Sequence, residues 1–150
     1  MAEMKIQMME LEKLVPYANN PRNNEKAVDA VAESIKQFGF RNPIIVDPEL
    51  VIISGHTRRL AAMKLGLKTV PVYIDADMTE QQKKAFRLAD NRVAELATWD
   101  KELLKNEIAD IIDVNLSDFG FDLDELKEIQ RESLGISVHR CPKCGHEWRG

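Results

Sequence analysis

The sequence lacks any apolar run that approaches the roughly 20 residues of a membrane-spanning helix, which predicts against an integral membrane protein. It also lacks the unbroken apolar stretch of a secretory signal, because Glu3, Glu10 and Glu12 interrupt the first residues. Internal repeats and Ser/Gly-rich linkers are absent as well. We therefore expect a cytoplasmic protein of 150 residues with one main domain and a small appendage.

A basic excess, typical of general nucleic-acid binders, is missing too. The net charge is −4, and residues 100–132 carry eleven acidic and four basic side chains, while residues 1–99 carry a balance of +1. Because neutralisation of phosphates supplies most non-specific affinity for nucleic acids, this balance restricts any such contact to a local basic site.

Apolar periodicity predicts a small α+β fold. The predicted strands are 5–11, 42–48, 50–53 and 69–74, and the predicted helices of this part run from about 25 to 38 and from about 56 to 65. Two β-branched runs around a tight turn predict a buried hairpin, and Pro71 predicts that its strand lies at a sheet edge or ends there.

Beyond residue 77 the pattern is helical. Thr79 and Gln82 fit a capping box, and Asp100 and Asp122 fit helix caps. The residues expected to form the apolar stripe of the first of these helices are Phe86, Ala89, Val93 and Leu96. The predicted organisation is a core of small mixed sheet and packed helices over 1–77, an all-helical extension over 78–135, and a short Cys-rich tail over 136–150.

The segment Ile52–Ala62 contains the most informative pattern, a strand that runs through a glycine into a helix with cationic first residues. Glycine lets the backbone approach a ligand closely, and the free N–H groups of a helix N-terminus attract anions. The predicted phosphate-binding residues are Ser54, Gly55, His56, Thr57, Arg58 and Arg59. An ordinary helix start, with Thr57 as its cap and both arginines solvated, is the alternative. No Walker A loop or Rossmann fingerprint is present.

The loop Asn20–Asn23 is the second element of the predicted site. If it folds near Gly55, Arg22 completes an anion pocket and Asn20 can hydrogen-bond a sugar or a base edge. The alternative is a plain turn in which Arg22 pairs with a carboxylate such as Glu25.

The tail contains a Cys-x-x-Cys pair typical of half a zinc ribbon. Its candidate zinc ligands are His139, Cys141, Cys144 and His146. Two such tails sharing one ion in a homodimer would also complete a tetrahedral site. A vestigial ribbon without metal is the other alternative.

The order of these motifs resembles the ParB/sulfiredoxin N-terminal domain, and especially the ParB-like nuclease domains of phages and mobile elements. The resemblance covers roughly residues 5–95 and includes Asn20–Arg22, Asn42–Val46, Ser54–Ala62 and Val70–Val72. The short segments 89–92 and 120–126 also resemble those relatives.

The resemblance implies a nucleotide site, CTP or ATP with Mg²⁺, at the glycine turn. In segregation ParB proteins this turn reads Gly-Glu-Arg-Arg, so Gly55 and Arg58 match while His56 and Thr57 replace a glutamate and an arginine. Sulfiredoxins carry a reactive cysteine where this chain has His56. ADP-dependent serine kinases carry a Gly-His-His-Arg turn, which keeps an ADP- or ATP-dependent small-molecule kinase as an alternative.

Phosphoryl transfer needs a proton-transfer group or a metal-binding acid. His56 is the candidate for proton transfer, since its reference pKa of about 6.5 suits neutral pH. Glu33 is the acid we assign to catalysis; the other acids considered are Asp47, Glu49, Asp75, Asp77 and Asp90.

The predicted function is nucleotide or DNA phosphate binding in the DNA transactions of a phage or mobile element, as a nuclease or a DNA-associated NTPase. The expected partners are DNA and a nucleotide, with a homodimer and a DNA methyltransferase or other phage DNA-processing protein as further possibilities. A non-catalytic DNA-binding accessory module is a third hypothesis.

Overall fold

The computed structural model describes residues 4–133, 135, 138–140, 143–144 and 147–149 of the chain. Contacts divide the chain into two compact units, Met1–Ala97 and Thr98–Gly150. Within the described residues, no helix has the length and apolar character needed to cross a membrane.

A four-stranded mixed sheet forms the centre of the first unit. Its strands are β1 (Ile6–Glu10), β2 (Ile44–Val46), β3 (Ile52–Ser54) and β4 (Thr69–Ile74). They lie in the order β1-β4-β2-β3. The pairs β1–β4 and β2–β3 are antiparallel, and β2–β4 is parallel. The predicted mixed sheet and the predicted hairpin of β2 and β3 are thereby confirmed.

The prediction that Pro71 lies at a sheet edge or ends its strand is wrong, because β4 lies in the interior of the sheet and Pro71 is its third residue. Pro71 pairs with Met8 of β1, whereas the ladder with β2 begins only at Val72, opposite Ile44. The proline ring therefore lies before the first residue of the parallel ladder, and a central strand tolerates its missing N–H there.

Three α-helices complete this unit: α1 (Glu25–Phe38), α2 (His56–Lys64) and α3 (Glu80–Leu96). A short 3₁₀ helix, Leu11–Lys13, follows β1. The apolar residues of the strands, the 3₁₀ segment and α2 share one core, formed by Leu11, Leu14, Ile44, Val46, Ile52, Ala62, Val70 and Val72.

Helix α3 departs from the predicted apolar stripe. Val93 and Leu96 are 64% and 66% exposed, and the side chains that α3 buries are Lys83 and Arg87. Both charged groups have partners, which makes their burial tolerable: Lys83 Nζ lies 3.1 Å from an Asp47 carboxylate oxygen, and Arg87 Nε donates to the carbonyl of Ile52 at 3.2 Å. The helical spacing of the apolar residues thus predicted the wrong inward face for α3.

The second unit contains α4 (Lys101–Asp110), a 3₁₀ helix (Leu116–Phe119), α5 (Leu123–Ser133) and the antiparallel strands β5 (Val138–Arg140) and β6 (Glu147–Arg149). Its helical part has a small core of its own around Ile108, Leu126 and Ile129. The predicted caps are confirmed: Asp100 accepts from the N–H of Leu103, and Asp122 accepts from that of Glu125.

Candidate anion-binding site

The turn between β3 and α2 requires glycine at position 55. Gly55 has φ +112°, a conformation that side-chain-bearing residues rarely adopt. A Cβ there would lie 3.1 Å from Cγ1 and 3.3 Å from Cα of Ile44, so the turn packs directly against β2. The Gly55 carbonyl accepts the N–H of Arg59 at 2.9 Å, which closes the first turn of α2.

Among the described residues, no side chain caps the N-terminus of α2. The first N–H groups of a helix have no partner within the helix, and the helix dipole favours negative charge at that end. Thr57, the cap in the alternative interpretation, is half-buried within the first turn. The first N–H groups of α2 therefore have no side-chain acceptor among the described residues, and anion binding at this turn stays a prediction.

Arg58 faces the start of β2. Its Nη1 donates to the carbonyls of Asn42 and Pro43 at 3.0 and 2.8 Å, and its Nη2 donates to Ser54 Oγ at 3.2 Å. Burial lowers the pKa of Arg58, and the nearby Asp90 carboxylate opposes that shift. The guanidinium is thus a fixed, partly buried cation within the turn.

Ser54 connects the turn to α3. Its hydroxyl donates to Asp90 Oδ2 at 2.8 Å while it accepts from Arg58. An exposed carboxylate therefore lies beside the cationic turn, bound through a hydroxyl group that an incoming phosphate oxygen could also engage.

Arg59 points to a different segment from Arg58. Its Nε donates to the carbonyl of Leu14 at 3.1 Å, and the side chain is half-buried. This contact anchors the chain leading into the loop at residues 16–24 to the first turn of α2.

His56 is held by the same loop. The backbone N–H of Tyr17 donates to His56 Nε2 at 3.2 Å. Burial lowers the pKa of His56, and the positive charges of Arg87 and Arg59 lower it further. These effects favour the neutral imidazole, and its acceptor nitrogen is already engaged.

The structure brings the loop residues Asn20 and Arg22 to the same corner. Arg22 Nη1 donates to Asn91 Oδ1 of α3, and the Arg22 N–H donates to Asn20 Oδ1 at 3.3 Å. Arg22 thus contacts α3 rather than Glu25. An open cleft of about 240 Å³ lies here, lined by Asn20, Pro21, Arg22, Arg87, Leu88, Asn91, Arg92 and Glu95.

Sequence reasoning did not assign Arg87, Asp90 or Asn91 to the predicted phosphate site. The Arg87 guanidinium lies 3.8 Å from the centre of the Tyr17 ring, a cation–π contact beneath the cleft. These residues come from α3, which the sequence analysis placed in the helical extension. The resemblance of segment 89–92 to ParB-like relatives was the available signal.

Glu33 is not brought to the turn by any contact found among the described residues. Its carboxylate accepts from Gln37 and Lys36 on its own helix, at 2.8 and 3.4 Å. The hydrogen bond from Gln37 lowers the pKa of Glu33 below its ordinary value. These contacts stabilise α1, and a catalytic role for Glu33 stays a prediction.

The predicted zinc site falls largely outside the described residues. Cys141 and His146 lie outside them, Cys144 is exposed, and His139 is placed only as a backbone position in β5 opposite Trp148. Among the residues whose side chains are described, no group of three or more His, Cys, Asp or Glu could hold a metal ion. Zinc binding by the tail stays a prediction.

The chain is similar in sequence to several known proteins. Residues 1–92 match the ParB N-terminal domain family. Over 83 residues, which are 55% of this chain and 95% of the relative, the sequence is 41% identical to the ParB-like nuclease domain-containing protein YnaK of Escherichia coli (strain K12). Over 138 residues it is 28% identical to a probable chromosome-partitioning protein ParB of Campylobacter jejuni, covering 89% of this chain and 44% of that relative. The chain thus spans less than half of the length of that partitioning protein.

Solved structures share the fold. The C-terminally truncated chromosome-partitioning protein ParB from Caulobacter crescentus, complexed with CTP-gamma-S, aligns with a TM-score of 0.66 over 89% of this chain and 80% of that chain, at 20% identity. A pNOB8-like ParB-N domain aligns with a TM-score of 0.51 over 99% of this chain and 59% of that chain, at 19% identity.

Proposed function

The chain belongs to the ParB N-terminal domain family, and from that premise we propose that its first unit binds the phosphate groups of a nucleoside triphosphate at the N-terminus of α2. The ligand we favour is CTP, because the Caulobacter crescentus relative holds an analogue of CTP. The site comprises Ser54 and Gly55, the first turn of α2, and the loop residues Asn20 and Arg22.

One observation carries this proposal: an uncapped helix N-terminus lies in a corner that holds several cations. The glycine turn leaves the first N–H groups of α2 without a side-chain cap, and Arg58 is held within hydrogen-bonding distance of Ser54. Arg22 lines the cleft between its loop and α3, the helix whose Asp90 accepts from Ser54 Oγ. Backbone donors, a helix dipole and guanidinium groups are the combination that binds phosphate oxygens.

Magnesium would enter this site with the nucleotide. Mg²⁺ retains several waters and binds through phosphate oxygens with one or two carboxylates, so it needs no pre-formed protein cage. The ion would neutralise the charge that the triphosphate brings beside Asp90.

We infer that the protein acts in DNA transactions, as a nucleotide-dependent DNA-associated module. The family membership supports this proposal. DNA, a homodimer contact and a DNA methyltransferase or other phage DNA-processing protein are the proposed partners. We assign nucleotide binding ahead of catalysis because His56, the candidate base, already accepts the Tyr17 N–H.

The first experiment measures the thermal stability and binding affinity of the full chain with CTP, ATP and ADP, each with and without Mg²⁺ and with and without plasmid DNA. A ligand that binds the native state raises the midpoint of unfolding. We expect CTP with Mg²⁺ to give the largest increase. If millimolar concentrations of every nucleotide leave the midpoint unchanged, the proposal is wrong.

Arg22→Ala tests the site within the same experiment. Arg22 is exposed, so its loss should leave the fold intact, and removing a charged hydrogen bond to phosphate should weaken binding by about 10–100-fold. Arg131→Ala removes the same charge from the second unit and serves as the matched control. Equal affinities for the two variants would place the ligand elsewhere.

A further inference from the structure

We propose that His56 is a positioning residue for the anion site: as a neutral imidazole it fixes the loop that carries Asn20 and Arg22, and its protonation releases that loop. This inference rests on the proposed function, and it concerns the regulation of the same site by pH.

A continuous chain of hydrogen bonds leads from His56 to Arg22. The Tyr17 N–H donates to His56 Nε2 at 3.2 Å, and the Asn20 N–H donates to the Tyr17 carbonyl at 3.2 Å. The Arg22 N–H then donates to Asn20 Oδ1 at 3.3 Å. The imidazole of His56 thus attaches this series of loop hydrogen bonds to α2.

The loop has a second attachment through Tyr17. The Arg87 guanidinium lies 3.8 Å from the centre of its ring, and the Arg87 Nε donates to the carbonyl of Ile52. This contact does not involve the imidazole of His56. Protonation of His56 would therefore remove one of two attachments and would loosen the loop without unfolding the unit.

The groups that face His56 make its protonation unfavourable. Arg59 from α2 and Arg87 from α3 are both cationic, and the Tyr17 backbone presents a donor. A protonated Nε2 carries its own hydrogen, so it cannot accept the Tyr17 N–H, and it adds a positive charge beside the two arginines.

The sign of the pH effect follows from these contacts. Burial, Arg87 and Arg59 lower the pKa of His56 below its ordinary value of 6.5, so the neutral imidazole that accepts the Tyr17 N–H is favoured at pH 7 and above. The attachment is lost as the pH falls through the lowered pKa. A His56 that instead contacts the phosphate groups directly would produce the opposite effect, because an imidazolium attracts an anion.

Two substitutions separate the attachment from the charge. In His56→Gln, the Oε1 atom can take the place of Nε2 as the acceptor and has no proton to gain. In His56→Asn, the side chain is one bond shorter and cannot reach Tyr17. At pH 7.5 we expect His56→Gln to bind nucleotide about tenfold more tightly than His56→Asn, because only the glutamine restores an acceptor for the Tyr17 N–H.

The decisive measurement is the affinity for CTP with Mg²⁺ between pH 8 and pH 5.5, in the native chain and in His56→Gln. The nucleotide's own titration is common to both proteins, so their difference isolates His56. Below the imidazole pKa, we expect the native chain to lose affinity by up to about tenfold per pH unit relative to His56→Gln. Parallel profiles, or a native affinity that rises relative to the glutamine variant, would overturn the proposal.

A readout without ligand distinguishes this proposal from the proposed function. Hydrogen exchange at the Tyr17 amide should be slow in the native chain and in His56→Gln, and faster in His56→Asn, at pH 7.5. If no nucleotide binds while this pattern holds, the proposed function fails and the attachment stands. Equal Tyr17 exchange in all three proteins shows that His56 does not hold the loop.

Discussion

Helices α2 and α3 both supply arginines to the same corner of the first unit, yet they begin in opposite ways. Helix α3 begins with a complete capping box: Thr79 Oγ1 accepts the Gln82 N–H at 3.3 Å, and Gln82 Oε1 accepts the Thr79 N–H at 2.8 Å. Helix α2 begins at Gly55 without a side-chain cap. A helix end satisfied by its own residues gains stability, whereas an open end keeps its donors for a ligand.

The two helices also differ in how they are attached to the sheet. The alanines Ala61 and Ala62 of α2 are buried, whereas α3 buries Lys83 and Arg87. The polar groups at the start of α3 and its buried cations are satisfied within the protein, whereas α2 keeps an unsatisfied end. The three predictions that follow test this division of roles.

The largest effect should come from removing the buried ion pair of α3. Lys83→Met leaves the Asp47 carboxylate buried without its cationic partner, and we expect the free energy of unfolding to fall by about 3–5 kcal/mol. Denaturant titration measures this. Combining Lys83→Met with Asp47→Asn removes the orphaned charge and should recover part of the loss. Lys84→Ala, at the exposed neighbouring position, is the matched control; a similar loss there would refute the assignment.

Gly55→Ala should have the next largest effect, because it strains the turn that opens α2. The methyl group meets Ile44 at 3.1–3.3 Å and the residue must keep φ +112°, so we expect a loss of about 2–4 kcal/mol. Gly66→Ala is the matched control, since Gly66 has φ +69° but no atom within 4 Å of a built Cβ. Equal losses in thermal or chemical denaturation would mean that contact with β2 contributes nothing.

The smallest effect on stability should come from closing the open end of α2. Thr57→Glu adds a carboxylate to the first turn, which should raise the free energy of unfolding by about 0.3–1 kcal/mol while it weakens nucleotide binding. Thr57→Gln introduces a side chain of nearly the same size without the charge. It should neither raise the free energy of unfolding nor weaken nucleotide binding to the same extent. An unchanged affinity in Thr57→Glu would show that the ligand does not use this helix end.

Much of the local structure could be predicted from the sequence. The capping residues Thr79, Asp100 and Asp122 were identified from spacing alone, because a cap bonds to an N–H two or three residues away. The hairpin of β2 and β3 was also predictable, because both strands are short β-branched runs on either side of a tight turn. These features depend on neighbours in the sequence.

What depends on distant partners could not be predicted. A proline in a strand is typical of a sheet edge or a strand end. The prediction for Pro71 failed because tertiary packing decides the order of the strands and brings β1 to the outer side of β4. The inward face of α3 was misidentified because the partners that make the burial of Lys83 and Arg87 tolerable, Asp47 and the Ile52 carbonyl, lie about 35 residues away in the sequence. For the same reason the contact of Arg22 with Asn91 had no local signal.

The pairing of β1 with β4 has a consequence for the order in which the chain assembles. Ile6 lies opposite Tyr73, so most of the first unit must be synthesised before the N-terminal strand can find its place. The hairpin of β2 and β3 can form earlier from local contacts, whereas closure of the long loop between β1 and β4 carries a larger entropic cost. During synthesis at the ribosome, the N-terminal segment therefore remains without its sheet partner until β4 has emerged.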